Sequence, residues 1–95
     1  MVKLIWTDQA IDDLGNIGDY IAENSEKYAN LTVKKLYERV NILKESPQAG
    51  RIVPEKNEEV VRELIEGSYR IIYEIASHDL IHIMTVHHSS KDLKL

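Results

Sequence analysis

Apolar residues in the first half of the chain recur at helical spacing. Their steps alternate between three and four residues, which places each series on one side of an α-helix. Thr7 and Ser25 precede the two series and suit helix N-caps, because a side-chain hydroxyl accepts a hydrogen bond from a free backbone N–H. Two amphipathic helices with a very short connection fold back as an antiparallel hairpin. The series expected to face a sheet are Ala10, Leu14, Ile17 and Ile21, and then Ala29, Val33, Leu36, Val40 and Leu43.

Apolar segments of the second half are shorter and have turn-forming residues between them, such as Gly67-Ser68. This pattern predicts antiparallel strands joined by tight turns, preceded by an irregular loop at 46–55 that holds both prolines. The expected architecture is β-αα-βββ, class α+β, with the helical hairpin packed on one face of a small, mainly antiparallel sheet. The predicted strands are 2–6, 60–65, 69–76 and 80–88.

The predicted strands carry apolar residues on both faces, whereas one helical hairpin covers a single face. We therefore expect part of the second face to remain an exposed apolar surface, which is typical of a partner site. Regular alternation in the last strand would place one set of residues together on one face: Leu80, His82, Met84, Val86 and His88.

Composition narrows the classes of protein. The length of 95 residues predicts one domain, 1–95, and the chain has no cysteine for a disulfide or a thiolate site. It has no long apolar run or signal-peptide pattern, which indicates a cytoplasmic protein. The net charge of −4 weighs against general affinity for nucleic acid. Because His82 and His88 are too far apart along a strand to share one ion, we expect no metal and no cofactor.

Several short motifs occur in the order found in one family. The loop Pro47–Glu55, the strand sequences Arg62-Glu63-Leu64 and Tyr69–Tyr73, and the closing Val86–Leu93 resemble the corresponding segments of RelE/ParE toxins of type II toxin–antitoxin systems. Lys91 stands where that family usually has arginine. The resemblance extends over nearly the whole chain, and it is closer to the ParE branch because of the long helical hairpin and the acidic balance.

The resemblance implies a toxin neutralised by a cognate antitoxin in a hetero-oligomer. ParE-like members bind and inhibit DNA gyrase without known nuclease chemistry, which favours a non-enzymatic inhibitor here. RelE-like members cut messenger RNA on the ribosome, so a metal-independent endoribonuclease is the alternative. A relic that binds its antitoxin without being toxic is the second alternative.

Cations on the motif segments are the candidate functional residues. Metal-independent RNA cleavage needs proton-transfer groups and cations that stabilise the phosphorane, and the candidates for these roles are Arg62, Arg70, His88 and Lys91. The same four residues, with Arg51, are the candidates for target or antitoxin binding. The plainer interpretation makes Arg51 a loop anchor that binds carbonyl groups and pairs Arg62 and Arg70 with Glu63, Glu74 or carboxylates of a partner. If Arg70 and Lys91 are exposed, charge reversal there leaves folding nearly intact.

Aromatic side chains are expected mainly as core or half-buried packing groups. They are too scattered along the sequence to predict a platform on which nucleic-acid bases stack. The residues concerned are Trp6, Tyr20, Tyr37, Tyr69 and Tyr73.

Overall fold

The computed structural model describes residues 1–90 and has the expected α+β architecture. A strand and two helices come first, and the remaining strands follow a 3₁₀-helical segment (Val40–Lys44). No helix in the described part of the chain is long and apolar enough to cross a membrane. The helices are α1 (Asp8–Ala22) and α2 (Glu26–Arg39), and the strands are β1 (Lys3–Trp6), β2 (Arg51–Ile52), β3 (Val61–Glu66), β4 (Tyr69–Ser77) and β5 (Leu80–His88).

The five strands form one sheet in the order β1-β5-β4-β3-β2. β1 runs parallel to β5, and the other neighbouring strands are antiparallel. The short strand β2 was not predicted, since its two residues lie in the segment expected to be an irregular loop. Sequence patterning cannot detect a strand of two residues, because an alternation needs several residues to be visible.

Both predicted N-caps are confirmed. Thr7 Oγ1 accepts a hydrogen bond from the amide of Ala10 and donates to the carbonyl of Ile83, 2.8 Å away. Ser25 Oγ accepts from the amide of Tyr28 at 3.1 Å. Thr7 therefore starts α1 and also joins that start to β5.

The helical hairpin packs on one face of the sheet. Ala10, Leu14 and Leu36 are buried against the sheet residues Ile71 and Ile81, which confirms the two predicted stripes. The second stripe is divided between two elements, because α2 ends at Arg39 and its last two apolar residues lie in the 3₁₀ segment. Those two residues stay on one side because side chains three apart are aligned in a 3₁₀-helix. They are Val40 and Leu43.

An irregularity in β5 changes which side chains share a face. Tyr73 is paired with Ile83, but the preceding Ile72 is paired with Thr85, so Met84 is an extra residue in β5. An extra residue reverses the alternation beyond it. The regular alternation expected for this strand was therefore wrong, and Val86 joins Ile83 in the core instead of facing away from it.

The second face of the sheet is largely covered. Val53, from the loop after β2, packs against Val61 and Ile72, and all three are buried. The expected exposed apolar part of this face is therefore small, because the loop itself closes over these residues. Ile65 and Met84 stay partly exposed, at 44% and 38%.

Candidate functional site

The loop before β2 is held by one tyrosine hydroxyl. Tyr73 is fully buried, its hydroxyl donates to the carbonyl of Pro47 at 2.8 Å, and it accepts from the amide of Gly50 at 2.9 Å. A Cβ added at Gly50 would lie 2.8 Å from the Tyr73 hydroxyl oxygen, closer than real contacts of this kind. The glycine of the loop motif thus has a packing role, because no side chain fits at its position.

Beside this loop lies an ion network of two arginines and two glutamates, in which Glu63 and Arg70 are buried and Arg51 and Glu55 are partly exposed. Glu63 is 1% exposed and accepts from Nε of Arg70 at 2.6 Å and from Nε of Arg51. The two terminal nitrogens of Arg70 donate to the two carboxylate oxygens of Glu55 at 2.8 and 2.9 Å. Opposite charges are matched one to one, so the network is electrically balanced.

The pair of Glu55 and Arg70 is charged at physiological pH. The hydrogen bond from Arg70 lowers the pKa of Glu55 to about 2, and the backbone amide of Glu55 adds to the effect. The bond to Glu55 in turn raises the pKa of Arg70, against the opposing effect of burial.

Arg62, rather than Arg51, is the residue that anchors the loop. Its Nε donates to the carbonyl of Glu59 at 2.9 Å and one terminal nitrogen donates to the carbonyl of Gly50 at 3.0 Å. The interpretation of Arg51 as the carbonyl-binding anchor was wrong, since Arg51 pairs with Glu63 and its side chain is 63% exposed. Within residues 1–90, Arg62 pairs with neither Glu63 nor Glu74, so that part of its interpretation was wrong.

The expectations for the pairing and exposure of Arg70 are confirmed only in part. It pairs with Glu63 as the plainer interpretation held, and with Glu55 in addition. The expectation that it is exposed was wrong, because Arg70 is 8% exposed and lies beneath the loop that carries Glu55.

The histidine candidate lies apart from the arginines. His88 is exposed at the end of β5, its Nδ1 is 2.7 Å from the hydroxyl of Ser90, and its ring meets Tyr69 edge-on at 5.5 Å between centroids. The strand position opposite Arg70 is His87. Because Met84 reverses the alternation, His87 and not His88 shares the face of Arg70.

A second polar network joins α1 to β5. One carboxylate oxygen of Asp13 accepts from the hydroxyl of Thr85 at 2.5 Å and from the amide of Val86 at 2.9 Å. The Thr85 oxygen is also 3.0 Å from Nε2 of His87. Since the single hydroxyl proton of Thr85 goes to Asp13, Nε2 of His87 must be the donor in this second contact.

An open groove of about 610 Å³ lies over this network, between α1 and the ends of β4 and β5. Tyr20 lines it and is 73% exposed. The expectation of core or half-buried packing is confirmed for Tyr73 and Trp6 and was wrong for Tyr20 and Tyr37. Both exposed tyrosines lie outside the apolar stripes of their helices. Groove residues also include Asn16, Ile17, Tyr69, Val86 and His88.

The residue pattern and the fold both match known toxins. A family model described as "ParE toxin of type II toxin-antitoxin system, parDE" matches residues 4–93. The chain belongs to this ParE toxin family. It is 31% identical over 91 residues to Toxin RelE2 of Caulobacter vibrioides, a match that covers 96% of this chain and 99% of that protein.

Solved structures show the same fold. A chain of the chromosomal ParDE toxin–antitoxin system from P. aeruginosa superposes with a TM-score of 0.75 at 25% identity, over 93% of this chain and 96% of that one. A chain of the RelBE2 toxin–antitoxin complex from Mycobacterium tuberculosis gives a TM-score of 0.58 at 18% identity, over 92% and 96% of the two chains. The second likeness is one of fold alone.

In this ParE-family toxin the candidate residues form two groups and not one. Arg51, Arg62 and Arg70 surround the loop before and after β2, whereas His88 lies at the groove on the helical side of the sheet. Lys91 lies outside the described residues. Sequence reasoning missed Glu55 as the partner of Arg70. The available signal was the position of Glu55 as the last residue of the loop motif Pro47–Glu55.

Proposed function

We propose that this chain is a toxin that arrests growth by binding an essential protein, DNA gyrase, and that a cognate antitoxin neutralises it in a hetero-oligomer. Membership of the ParE family supports the toxin role. The observation that carries the choice of mechanism is the state of Arg70, whose Nε, Nη1 and Nη2 all donate to carboxylates of the same chain.

RNA cleavage without a metal needs cations that are free to stabilise a pentacovalent phosphate. Arg70 is fully engaged by Glu55 and Glu63, and Arg62 donates to backbone carbonyls that hold the loop. Releasing Arg70 would leave the buried carboxylate of Glu63 with one partner fewer, which is costly at 1% exposure. The net charge of −4 adds little attraction for RNA.

Arg51 is the arginine that a protein target can reach. Its side chain is 63% exposed, and Nε is held by Glu63. An exposed arginine that a buried carboxylate orients suits a binding hot spot, where arginine is enriched. We assign Arg51 as the main target contact of the loop, with Arg62 and Arg70 as the residues that shape it. We assign His88 to a second contact surface, which is the groove that it lines, and we assign Lys91 to binding as well.

The proposal of an antitoxin partner rests on the relatives. The two superposed structures are described as a toxin–antitoxin system and a toxin–antitoxin complex, which supports a partner of the same kind here. Tyr20 and Tyr69 line the groove and support an interface, because tyrosine is enriched at protein–protein contacts.

A ribosome-dependent endoribonuclease is the second candidate, favoured by the 31% identity to Toxin RelE2. In that case His87 is the better placed proton-transfer group, because it lies opposite Arg70 on the same face of the sheet. Glu55 would then have to leave Arg70 when RNA binds.

Expression of the chain in bacteria separates these candidates. We expect growth arrest, relaxed plasmid DNA and no codon-phased cuts when RNA 5′ ends are mapped. Arg51→Glu should relieve the arrest, whereas Lys34→Glu, a matched charge reversal on the outer face of α2, should not. Lys34 suits as the control because its side chain is 71% exposed and makes one long ion pair, at 3.9 Å, within α2.

If codon-phased cuts occur and disappear in a His87→Ala variant, the protein is an endoribonuclease and the proposal is wrong. If the protein folds but causes no arrest, the interpretation as a non-toxic relic applies. Either result contradicts the binding mechanism.

A further inference from the structure

The ring of His87 is held by two polar side chains in series. Nε2 of His87 is 3.0 Å from the hydroxyl of Thr85, and that hydroxyl is 2.5 Å from a carboxylate oxygen of Asp13. Thr85 is buried at 9% exposure, whereas His87 is half-buried. Because the hydroxyl proton of Thr85 goes to the carboxylate, its oxygen can only accept from His87. In the neutral ring the proton is therefore on Nε2, and Nδ1 is the acceptor.

Anchoring of α1 explains only part of this network. β1 pairs with β5 along Leu80–Ile83, so within residues 1–90 the later part of β5 has no strand on that side. Asp13 of α1 takes this position and accepts from the amide of Val86 at 2.9 Å. That bond ties the helix to the strand and needs no hydroxyl from Thr85. What the hydroxyl adds is the orientation of His87.

His87 shares a face of the sheet with Arg51. Arg51 is paired with Glu63, and Glu63 with Ile72. Ile72 is paired with Thr85 in turn, which places Thr85 three strands from Arg51 on the same face. His87 comes two residues after Thr85 and lies on that face too. Three strand spacings are roughly 15 Å, so one protein contact of ordinary size, about 800 Å² on each partner, covers both residues.

The row of His87 also contains an exposed apolar side chain. Ile65 is paired with Arg70, and Arg70 with His87. Ile65 is 44% exposed, while Arg70 is buried and bound to carboxylates of its own chain. Around the buried Arg70, a partner therefore meets the cation of Arg51, an apolar group and an acceptor nitrogen. A phosphate has no hydrogen to donate to that nitrogen at neutral pH, whereas a protein has many N–H and O–H donors.

We propose that Asp13 and Thr85 are positioning residues for His87, and that Nδ1 of His87 accepts a hydrogen bond from an N–H or O–H group of the target protein on the face that carries Arg51. The contact with the target rests on the proposed function, whereas the state of the ring rests on hydrogen bonds within this chain. A ring that is already fixed loses less freedom on binding than a mobile one. The two positioning residues thus strengthen binding without touching the target.

NMR of the folded, ¹⁵N-labelled toxin at pH 8 reports the state of the ring. We expect a His87 Nε2–H signal that is protected from exchange with water, and an unprotonated Nδ1. Thr85→Val keeps the branched shape of the side chain and should abolish the protection, whereas Thr85→Ser should retain it. Asp13→Ala leaves the hydroxyl of Thr85 free to donate to Nε2, so protonation of Nδ1 should increase. A pair that only anchors α1 would not change the ring in this way.

Inhibition of supercoiling by purified gyrase reports the contact. His87→Phe keeps an aromatic ring without the acceptor, and it should raise the toxin concentration for half-inhibition by about three- to tenfold, the effect of one hydrogen bond. Thr85→Val should raise it by about two- to tenfold, since one interface side chain regains its freedom. Thr85→Ser should act like the parent.

His78→Phe is the matched control. His78 is 92% exposed in the turn between β4 and β5, at the other end of this hairpin from His87, and the variant should inhibit like the parent. Circular dichroism checks that each variant is folded.

Equal inhibition by His87→Phe and the parent would overturn the contact and leave the proposed function standing. A protonated Nδ1 in the parent, or a protected Nε2–H signal in Thr85→Val, would overturn the positioning role. RNA cleavage that depends on His87 would overturn the contact in favour of the endoribonuclease. If the parent does not inhibit gyrase, the contact fails together with the proposed function, and the NMR result alone decides the positioning role.

Discussion

Removing the hydroxyl of Tyr73 should destabilise the fold without changing its packing volume. Tyr73→Phe keeps the buried ring and removes one oxygen, which makes two hydrogen bonds, to the carbonyl of Pro47 and from the amide of Gly50. Each neutral hydrogen bond contributes about 1 kcal/mol net, and a buried amide left without a partner costs about 1–3 kcal/mol. We therefore expect a loss of about 2–4 kcal/mol in the free energy of unfolding.

Urea unfolding followed by circular dichroism measures this loss. In a domain of this size it corresponds to a fall of roughly 10–25 °C in Tm, so the variant should still fold at room temperature. Tyr37→Phe is the matched control, because Tyr37 is 57% exposed and should lose about 0.5 kcal/mol or less. Hydrogen exchange should show faster exchange of the Gly50 amide in the Tyr73 variant alone. A Tyr73→Phe variant as stable as the control would refute the assignment of this hydroxyl as the anchor of the loop.

Three further predictions test the ion network and its loop. Arg70→Glu should destabilise by about 3–5 kcal/mol or prevent folding, because it places another negative charge against the buried carboxylate of Glu63. Arg51→Glu should destabilise less, because the side chain at this position is 63% exposed and can turn away from Glu63 into solvent; thermal melts compare the two. Gly50→Ala should cost about 1–3 kcal/mol in urea unfolding, since the added methyl group meets the Tyr73 hydroxyl oxygen and the backbone behind it. The pKa of Glu55 is lowered from 4.5 to about 2 in the folded protein, so its contribution is present above pH 4.5 and is lost as the pH falls toward 2. Stability measured across this range should fall less steeply in Glu55→Gln than in the parent.

Sequence patterning was sufficient for the elements that repeat a simple period. The α1 stripe, the caps at Thr7 and Ser25 and the three long strands follow from local spacing and turn residues. The extra residue Met84 could not be predicted, because its effect on alternation appears only in the register with β4. That one residue decides that His87, and not His88, faces Arg70.

The candidate site was predictable in composition but not in arrangement. The motif segments contain Arg51, Glu55, Glu63 and Arg70, yet their pairing depends on how the loop folds back over β3 and β4. Burial of a charge cannot be read from alternation alone, since an exposed arginine and a buried, paired one occupy the same position in the pattern. Tyr20 and Tyr69 line one groove although they are far apart in the sequence, which is why the aromatic side chains seemed scattered.

The central claim is that this toxin acts by binding gyrase while Arg70 stays paired inside the fold. Supercoiling of relaxed plasmid by purified gyrase, titrated with the purified toxin, tests it most directly. The account predicts saturable inhibition, which Arg51→Glu weakens by about tenfold or more. Full supercoiling activity in the presence of excess folded toxin would contradict it.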